Sequence, residues 1–538
     1  MPSKPIRIPL AQPIQSRTAS FGTDSFTQNL VWEQDGNELA VVKRPGLTSL
    51  YDITTLCSTL FSGVGLLGVF GVYPFHVGNG ETIYLACVNL SQTNNFVAFA
   101  LNAAPLTGIT QNQVVISTTI ANLAVQNFAR YVNVPLNNGY PGDRYLVLDI
   151  PTTTNSVITY YKPYFIALVT TNSGVSYSFA ISGPNSSSTV STFPGKNIVY
   201  QDEYLFIEGV DAIFNSELLP TPTANFGFST SIVAPTFLAT AFLLVYGEKG
   251  PVTGLAKHLN YLCVFKTFST EFFYDNGANT PGSPLANYVQ ARATIGCVNP
   301  DTVVTMQDTV MWVGQSTNKG KAVYMFNGLV PVPVSTLYID KYLDADSCTS
   351  VGAVSYKYNG HTLYILTLRT SGVTLVYDIE LKMWYRWSVY NGTSFDIFPA
   401  ALQVEGPYLQ AAQNYIMDID TVAGHFIVYN LDKTVYQDRG LAMYCISVSG
   451  SEDYGTRQPK IFGRLDVVAD VEPNATLDIS HSDNDYTTYS TARTVDLSLE
   501  RPVIFQGGRS RRRAYKIVHT ANTPFRAIAL ELDIKAGS

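Results

Sequence analysis

The residues best suited to chemistry in this sequence are the arginines of one basic run. The run Gly507–Arg513 contains Arg509, Arg511, Arg512 and Arg513, and it is the only dense basic run among the 538 residues. Guanidinium groups bind phosphates and carboxylates through paired hydrogen bonds. The run therefore predicts a surface that contacts nucleic acid, an acidic neighbouring subunit or solvent, and an interface or solvent is the favoured interpretation.

A second candidate is the loop Ser482–Tyr489, in which Asp483 and Asp485 flank Asn484. Carboxylate oxygens at alternating positions suit a hard cation such as calcium. The loop lacks the glycine and the bidentate glutamate that complete an EF-hand, and Asp and Asn are also common in plain hairpin turns. A plain turn is the favoured interpretation, and the sequence predicts no metal ion and no other cofactor.

Recognisable catalytic patterns are absent from the sequence. Its six histidines are isolated, and no nucleophile elbow, zinc-binding helix or phosphate-binding loop occurs. Propeller glycosidases such as sialidases combine clustered arginines, a tyrosine nucleophile and paired carboxylates. The candidate arginines Arg144, Arg292, Arg369 and Arg386 show no spacing of that kind. We therefore predict that the protein is not an enzyme.

The composition indicates which elements position these residues. Only 14% of the residues are charged, whereas 12% are aromatic, and the net charge is −7. Tyr, Phe, Val and Thr favour half-buried strands, and the many Gly and Pro residues favour turns. The acidic balance gives no sign of a basic nucleic-acid-binding face. The six cysteines are far apart, so we expect small buried side chains rather than disulfides or a zinc site.

The clearest unit of the sequence is Val351–Trp387. It reads as four strands, Val354–Tyr358, His361–Leu368, Val373–Asp378 and Met383–Trp387, with a hairpin turn at Asn359-Gly360. Four antiparallel strands joined by tight turns are typical of one blade of a β-propeller. Less regular units of this kind recur along the chain.

These units predict an all-β protein with a β-propeller of six or seven irregular blades. Residues 1–45 are expected to form an extended N-terminal arm, residues 46–439 the propeller, and residues 440–538 a small C-terminal β-sandwich-like domain. The apolar runs Val64–Phe75 and Ile232–Tyr246 are too short or too interrupted to cross a membrane. We expect them to be buried strands, and we expect no membrane-spanning segment.

Three stretches of the sequence resemble the tail hub, or packaged-DNA-stabilising, proteins of short-tailed bacteriophages, and more distantly the nozzle subunits of these phages. The first is Gln28-Asn29 followed by Val42–Leu47, which contains Lys43, Arg44, Pro45 and Gly46. The second is Tyr261–Tyr274 with its glycine-containing loop, and the segment Ala291–Val330 continues in the same style. The third is the C-terminal order of a strand, the Asp/Asn loop, the arginine run and the strand Phe525–Ile534.

The resemblance implies a structural virion protein that is made in the host cytoplasm and located in the phage tail. It implies a homohexameric ring below the portal and adaptor proteins, which extends the DNA conduit, retains packaged DNA and anchors needle, fibre or tailspike proteins. Double-stranded DNA would pass transiently without sequence-specific binding, and an acidic lumen would repel its phosphates. The expected interface residues are Lys43, Arg44, Pro45, Gly46, Arg509, Arg511, Arg512 and Arg513.

Two other hypotheses stay open at this point. One is a glycan-binding or glycan-degrading propeller, either sialidase-like or lectin-like, with clustered acids or stacked aromatic side chains in a cleft on the propeller axis. The other is a propeller scaffold of a different system.

Overall fold

The structure is a computed structural model of the whole chain. It describes residues 5–15, 24–136, 142–154, 157–170, 177–219, 231–278, 282–306, 309–407, 414–420 and 423–536. Five strands and one helix come before the first complete sheet. They are β1 (Ile6–Pro9), β2 (Phe26–Gln28), β3 (Leu30–Asp35), β4 (Glu38–Lys43), β5 (Gly46–Asp52) and α1 (Ile53–Leu60).

Six sheets then follow one another, and neighbouring strands within each sheet are antiparallel. We call them blades 1 to 6. Blade 1 consists of β6 (Leu66–His76), β7 (Thr82–Leu90), β8 (Phe96–Ala100) and β9 (Val114–Thr118). Blade 2 consists of β10 (Arg130–Pro135), β11 (Asp143–Thr154), β12 (Val157–Thr170) and β13 (Tyr177–Ser182). Blade 3 consists of β14 (Ile198–Gln201), β15 (Tyr204–Glu208), β16 (Ala212–Asn215) and β17 (Phe242–Leu244).

Blades 4 to 6 continue the series, and helix α2 (Leu337–Ala345) lies between blades 5 and 6. Blade 4 consists of β18 (Val252–His258), β19 (Tyr261–Lys266), β20 (Thr270–Asp275) and β21 (Leu285–Asn287). Blade 5 consists of β22 (Gly296–Cys297), β23 (Val304–Met306), β24 (Thr309–Ser316), β25 (Lys319–Asn327) and β26 (Val330–Pro333). Blade 6 consists of β27 (Val351–Tyr358), β28 (His361–Leu368), β29 (Val373–Asp378), β30 (Met383–Tyr390) and the short β31 (Phe395–Ile397).

The seventh blade is built from two distant parts of the sequence. Its inner strands are β32 (Leu402–Val404), β33 (Tyr415–Ile419) and β34 (Phe426–Asp432), and its outer strand is β5. Strand β5 runs antiparallel to β34, with Leu47 opposite Leu431. The two-residue strands β35 (Gln437–Asp438) and β36 (Leu441–Ala442) extend this sheet. An early strand therefore closes the last blade.

The first strands of the blades form the centre of a closed ring. Strand β10 packs on β14, β14 on β18, β18 on β23, β23 on β27 and β27 on β32. Strand β32 packs in turn on β6, and β6 packs on β11 of blade 2. The described residues thus form a seven-bladed β-propeller, which confirms the predicted fold class.

Hydrophobic clusters fill the spaces between adjacent blades. Each pair of neighbouring blades shares one cluster of buried side chains, and the cluster between blades 6 and 7 extends into the C-terminal domain. Because both faces of a blade are covered, its strands can be apolar at every position. Every residue of β7 is buried, for example. The predicted buried strand within Val64–Phe75 is confirmed as part of β6.

The C-terminal domain is a sandwich of two sheets. Its own strands are β37 (Cys445–Val448), β38 (Lys460–Ala469), β39 (Thr476–Ser482), β40 (Arg493–Asp496), β41 (Val503–Ser510), β42 (Ala514–His519) and β43 (Arg526–Ala536). One sheet has the order β3-β4-β43-β38-β41, and β1 also pairs with β43. The other has the order β2-β37-β42-β39-β40 and joins blade 6 where β2 runs parallel to β30.

The structure differs from the sequence predictions in three respects. Residues 1–45 were expected to form an extended arm, but within this range β1, β2 and β4 pair with C-terminal strands, β3 pairs with β4, and side chains of β1, β3 and β4 enter the sandwich core. The two short helices were not predicted. Within Ile232–Tyr246 only Phe242–Leu244 forms a strand, and its Phe242 and Leu244 side chains are exposed.

The expectations for blade 6 and for the cysteines are confirmed. The four strands of blade 6 and the Asn359-Gly360 turn lie where the sequence placed them, and both turn residues have positive φ, at 46° and 87°. All six cysteines are free and buried. No helix in the described part of the chain has the length and apolar character needed to cross a membrane.

Candidate functional site

The Arg-Pro-Gly motif lies in the interior of the chain, at the junction of the propeller and the sandwich. The guanidinium group of Arg44 is fully buried and binds the equally buried Asp438, with Nη1 2.9 Å from Oδ1 and Nη2 2.6 Å from Oδ2. It also donates to the carbonyl oxygens of Pro45 and Ser388. The guanidinium lies over the Phe398 ring at 4.8 Å. Arg44 therefore joins β4, blade 6 and the end of blade 7.

Asn29 supports this arrangement from the same sequence motif. Its Oδ1 accepts hydrogen bonds from Arg44 Nε at 3.1 Å and from the Ser388 backbone N–H at 2.9 Å. Its backbone has a φ of 56°, in the left-handed region that Asn tolerates better than most residues. The two separated halves of the motif thus meet in space.

Lys43 is also an interior residue. Its Nζ donates to the Ala521 carbonyl at 2.7 Å, and burial lowers its pKa, with the neighbouring Arg44 acting in the same direction. The structure therefore places Lys43 and Arg44 in contacts within one chain. They are buried and cannot form a docking surface as the sequence analysis expected.

Gly46 allows the closing strand to approach the chain after blade 7. A Cβ atom at this position would lie 2.2 Å from the Gln437 carbonyl oxygen and 2.7 Å from that of Val435. Both obstacles are backbone atoms, and the Gly46 N–H already donates to the Val435 carbonyl at 2.8 Å. A side chain therefore cannot be accommodated unless the backbone moves.

We expect Gly46→Ala to lower the free energy of unfolding by about 1–3 kcal/mol, the usual cost of overpacking a buried site. Urea unfolding followed by tryptophan fluorescence measures this loss. Gly254→Ala is the matched control, because its Cβ would meet no atom closer than 3.6 Å. Equal stability of the two variants would contradict the close-approach explanation.

The arginine run and the Asp/Asn loop, which the sequence analysis treated separately, are neighbours. Arg513 is buried and forms two parallel hydrogen bonds to Asp483, with Nε 2.7 Å from Oδ1 and Nη2 2.8 Å from Oδ2. Arg512 forms a more exposed pair with Asp485 at 3.3 Å. The loop carboxylates are thus held by arginines, and Arg513 also lies 4.1 Å from the Phe462 ring centroid.

The structure divides the four predicted arginines into two pairs. Arg512 and Arg513 bind the neighbouring loop, whereas Arg509 and Arg511 are exposed, and the described residues offer them no carboxylate partner. An interface function for Arg509 and Arg511 stays a prediction.

We expect Arg513→Ala to destabilise the sandwich by about 2 kcal/mol, because it removes charge-assisted hydrogen bonds and a buried stacking contact. Thermal unfolding monitored by circular dichroism measures the change. Arg511→Ala should leave the unfolding midpoint nearly unchanged, since Arg511 is exposed. A comparable loss in both variants would show that Arg513 has no special structural role.

One set of side chains in the described residues has the composition and closeness of a metal site. It consists of His361, Asp378 and Glu380. The oxygens of this set already have partners, because Asp378 Oδ2 is 2.7 Å from His361 Nδ1 and accepts from the Tyr385 hydroxyl, while Glu380 Oε2 accepts from the Thr362 N–H. This network fixes the β29–β30 turn of blade 6.

A cavity of about 670 Å³ lies on the propeller axis, between the innermost strands of blades 2 to 7. Charged residues of both signs line it, namely Arg130, Lys196, Lys257, Arg369, Asp301 and Glu405. Asp301 of blade 5 binds Arg130 of blade 2 at 3.1 Å and also pairs with Lys196, which precedes blade 3. Ion pairs therefore cross the axis from one side of the ring to the other.

A buried acidic pair adjoins this ion-pair cluster. Asp149 is 1% exposed, and neither of its carboxylate oxygens has a hydrogen-bond partner. Glu208 accepts a hydrogen bond from Asn197 Nδ2. Burial raises the pKa of Asp149 well above its usual value and that of Glu208 to about 7.

The third nearby acid has the opposite behaviour. Burial by itself would raise the pKa of Asp301, but Lys196 and Arg130 outweigh it and hold the pKa below its usual value. The cavity wall thus contains an ionised carboxylate close to two acids that retain their protons more readily. Sequence reasoning missed these residues, although an acid inside the apolar strand Leu146–Ile150 is a signal that could have marked Asp149.

Comparison with known proteins gives one family match. Residues 248–396, which span blades 4 to 6, match the model of the phage stabilisation family, described as "Bacteriophage P22 Gp10, beta-propeller". The predicted family resemblance is confirmed. The matched segment contains the whole of the second stretch on which the resemblance was based, from Tyr261 to Val330, and the family description agrees with the propeller architecture.

Other comparisons carry less information. No curated protein matches the chain significantly. Among solved structures, exo-β-1,3-galactanase from Phanerochaete chrysosporium is 9% identical over 91% of this chain and 100% of its own, with a TM-score of 0.25. Fructofuranosidase from Schwanniomyces occidentalis is also 9% identical, over 91% and 97% of the two chains, with the same TM-score. Scores this low carry no argument about function.

Proposed function

We propose that the chain is a non-enzymatic structural component of a phage virion, a tail hub or nozzle subunit. The family match over three complete blades is the observation that carries this proposal. In the proposed assembly, copies of the chain form a homohexameric ring below the portal and adaptor. The ring extends the DNA conduit, retains packaged DNA and anchors needle, fibre or tailspike proteins.

The propeller axis of a single subunit is poorly suited to conduct DNA, which supports a conduit at the centre of the ring instead. The cavity on the propeller axis is small, and the ion pairs of Asp301 cross it. Double-stranded DNA would therefore pass through the centre of a ring of several copies. A net charge of −7 favours weak contact with DNA, because like charges repel the phosphate backbone.

Assembly on a template tests this proposal. The mass of the purified chain in solution is measured first, and particle images are then recorded after it is mixed with a portal–adaptor complex. We expect a closed ring of copies, either free or on the template. A chain that remains monomeric and does not bind the portal–adaptor complex would contradict the tail-hub proposal.

One observation favours a second candidate function, that of a glycan-degrading propeller. Asp301 lines the axial cavity, where Lys196 and Arg130 hold its pKa below the usual value, and burial raises the pKa of the nearby Glu208 to about 7. A pair of carboxyls with separated pKa values is typical of general acid–base chemistry. A glycan panel tests this candidate directly. Turnover by the native chain that is lost in both Glu208→Gln and Asp301→Asn would establish it over the structural proposal.

A further inference from the structure

The outermost strand of blade 3 exposes apolar side chains on one face. Alternate residues of a strand point to the same side. Phe242 and Leu244 of β17 are 39% and 42% exposed, and Tyr246, two residues beyond the end of the strand, is 72% exposed. The intervening Val245 is buried at 4%. These residues end the longest apolar run of the sequence. Phe242 lies 6.0 Å from the Phe214 ring, but none of the three belongs to a hydrophobic cluster of the described residues. Large exposed apolar side chains that lie together are typical of an interaction site.

Acidic residues border this face. Asp211, whose side chain is 66% exposed and whose Oδ1 lies 3.7 Å from Lys266 Nζ, is beside the strand, since its carbonyl accepts a hydrogen bond from the Val245 N–H at 3.0 Å. Glu248 is exposed two residues after Tyr246, and the exposed Lys249 follows it. We call Asp211, Phe242, Leu244, Tyr246 and Glu248 the blade 3 patch.

A second exposed apolar surface lies on the sandwich. Ile461 and Phe505 are 51% and 58% exposed and line a shallow groove together with Arg509. Ile461 on β38 stands opposite Arg509 on the edge strand β41. The exposed Arg511 follows directly after β41. We call Ile461, Phe505, Arg509 and Arg511 the sandwich patch.

The two patches are complementary in charge and similar in their apolar centres. Two exposed acids and one exposed lysine border the first patch, whereas two exposed arginines border the second. Aromatic and arginine side chains are the residues that most often anchor protein interfaces. The sandwich joins the ring at blade 6, three blades away from blade 3. A single chain therefore cannot bring its own patches together, but two copies can.

We propose that the sandwich patch of one copy binds the blade 3 patch of the next copy. Phe505 and Ile461 pack against Phe242, Leu244 and Tyr246, while Arg509 and Arg511 face the acidic border. Because the two surfaces differ, the contact is head-to-tail, and its repetition by rotation closes a ring. This inference rests on the proposed ring assembly and names the surfaces that form it.

Cysteine cross-linking tests the contact directly. Two variants of the full chain, Tyr246→Cys and Phe505→Cys, are purified separately, mixed and oxidised. The six native cysteines are buried and do not compete. We expect a disulfide-linked dimer that contains one copy of each variant. The control pair is Leu106→Cys with Phe505→Cys, since Leu106 is 67% exposed on blade 1. A yield no higher than in the control, or a predominance of Tyr246→Cys homodimers, would overturn the proposal.

Charge reversal gives a second measurement. In the Phe505→Cys chain, Arg509→Glu together with Arg511→Glu should lower the mixed-dimer yield about tenfold, because like charges then face each other. Adding Glu248→Arg to the Tyr246→Cys chain should recover part of it. Unchanged yield after charge reversal would contradict the proposed contact.

Template assembly separates this inference from the proposed function. Suppose that the chain with Arg509→Glu and Arg511→Glu forms rings on the portal–adaptor complex as readily as the native chain. The proposed contact between the two patches is then wrong, and the tail-hub function stands. If the cross-link forms but no ring assembles on that complex, the contact stands and the tail-hub function fails.

Discussion

Replacing Arg44 by alanine is expected to lower the free energy of unfolding by about 3–5 kcal/mol. The substitution leaves the fully buried carboxylate of Asp438 without its partner, and an uncompensated charge in the interior has a cost of this size. It also removes the stacking of the guanidinium on Phe398 and the hydrogen bonds that join β4 to blade 6. The loss should affect the propeller and the sandwich together, since Arg44 lies where they meet.

Equilibrium unfolding in urea measures the effect, with Arg7→Ala as the control. Arg7 forms an exposed pair with Glu38, 38% and 43% exposed, so we expect its removal to change stability by less than about 1 kcal/mol. Arg44→Lys should recover little, because an ammonium group cannot form the parallel hydrogen bonds to Asp438. A lysine variant as stable as the native chain would show that only the charge matters.

Stability should also depend on pH through Glu208, and Glu208→Gln should remove that dependence. Burial raises the pKa of Glu208 to about 7 in the folded chain, from the ordinary 4.5. The folded chain therefore holds this proton more tightly than the unfolded chain. As a result, the free energy of unfolding falls as the pH rises from about 4.5 to about 7, and stays lower above that range. At about 1.4 kcal/mol per pKa unit, the loss amounts to about 3 kcal/mol.

The measurement compares native and Glu208→Gln unfolding free energies at pH 5 and pH 8. The variant should gain about 2.5 kcal/mol relative to the native chain between pH 5 and pH 8, because glutamine has no proton to lose. Subtracting the two chains removes the contribution of other acids with raised pKa values, such as Asp143. Glu248→Gln, at an exposed site, should show no such difference. A difference that does not vary with pH would mean that Glu208 titrates normally.

The blades were predictable where local signals agree. In blade 6, the turn residues Asn359-Gly360 and the apolar strands around them determine four strands without help from the rest of the chain. The closing strand could not be predicted in this way. Strand β5 (Gly46–Asp52) pairs with β34 (Phe426–Asp432), and the residues of neither segment indicate a partner strand so far away in the sequence. For the same reason, β1 to β4 were not recognised as strands of the sandwich.

The candidate sites divide along the same line. The sequence marked Arg44 and Arg513 as unusual, but it could not show that they are buried, because their partners Asp438 and Asp483 lie far away in the sequence. The axial cluster was missed because Asp149, Glu208 and Asp301 come from three different blades. Each is an ordinary acid in its own stretch, and only the ring brings them together.

The closing strand also sets the order in which the chain can mature during synthesis. Residues 46–52 leave the ribosome early, but their partner strand at 426–432 appears only after six blades have been made. The sandwich likewise cannot form until residues 445–536 have been made and can pair with the N-terminal strands. Contacts this distant form slowly. A nascent or prematurely terminated chain therefore has neither a closed propeller nor a complete sandwich. Incomplete copies would lack the folded surfaces that assembly requires.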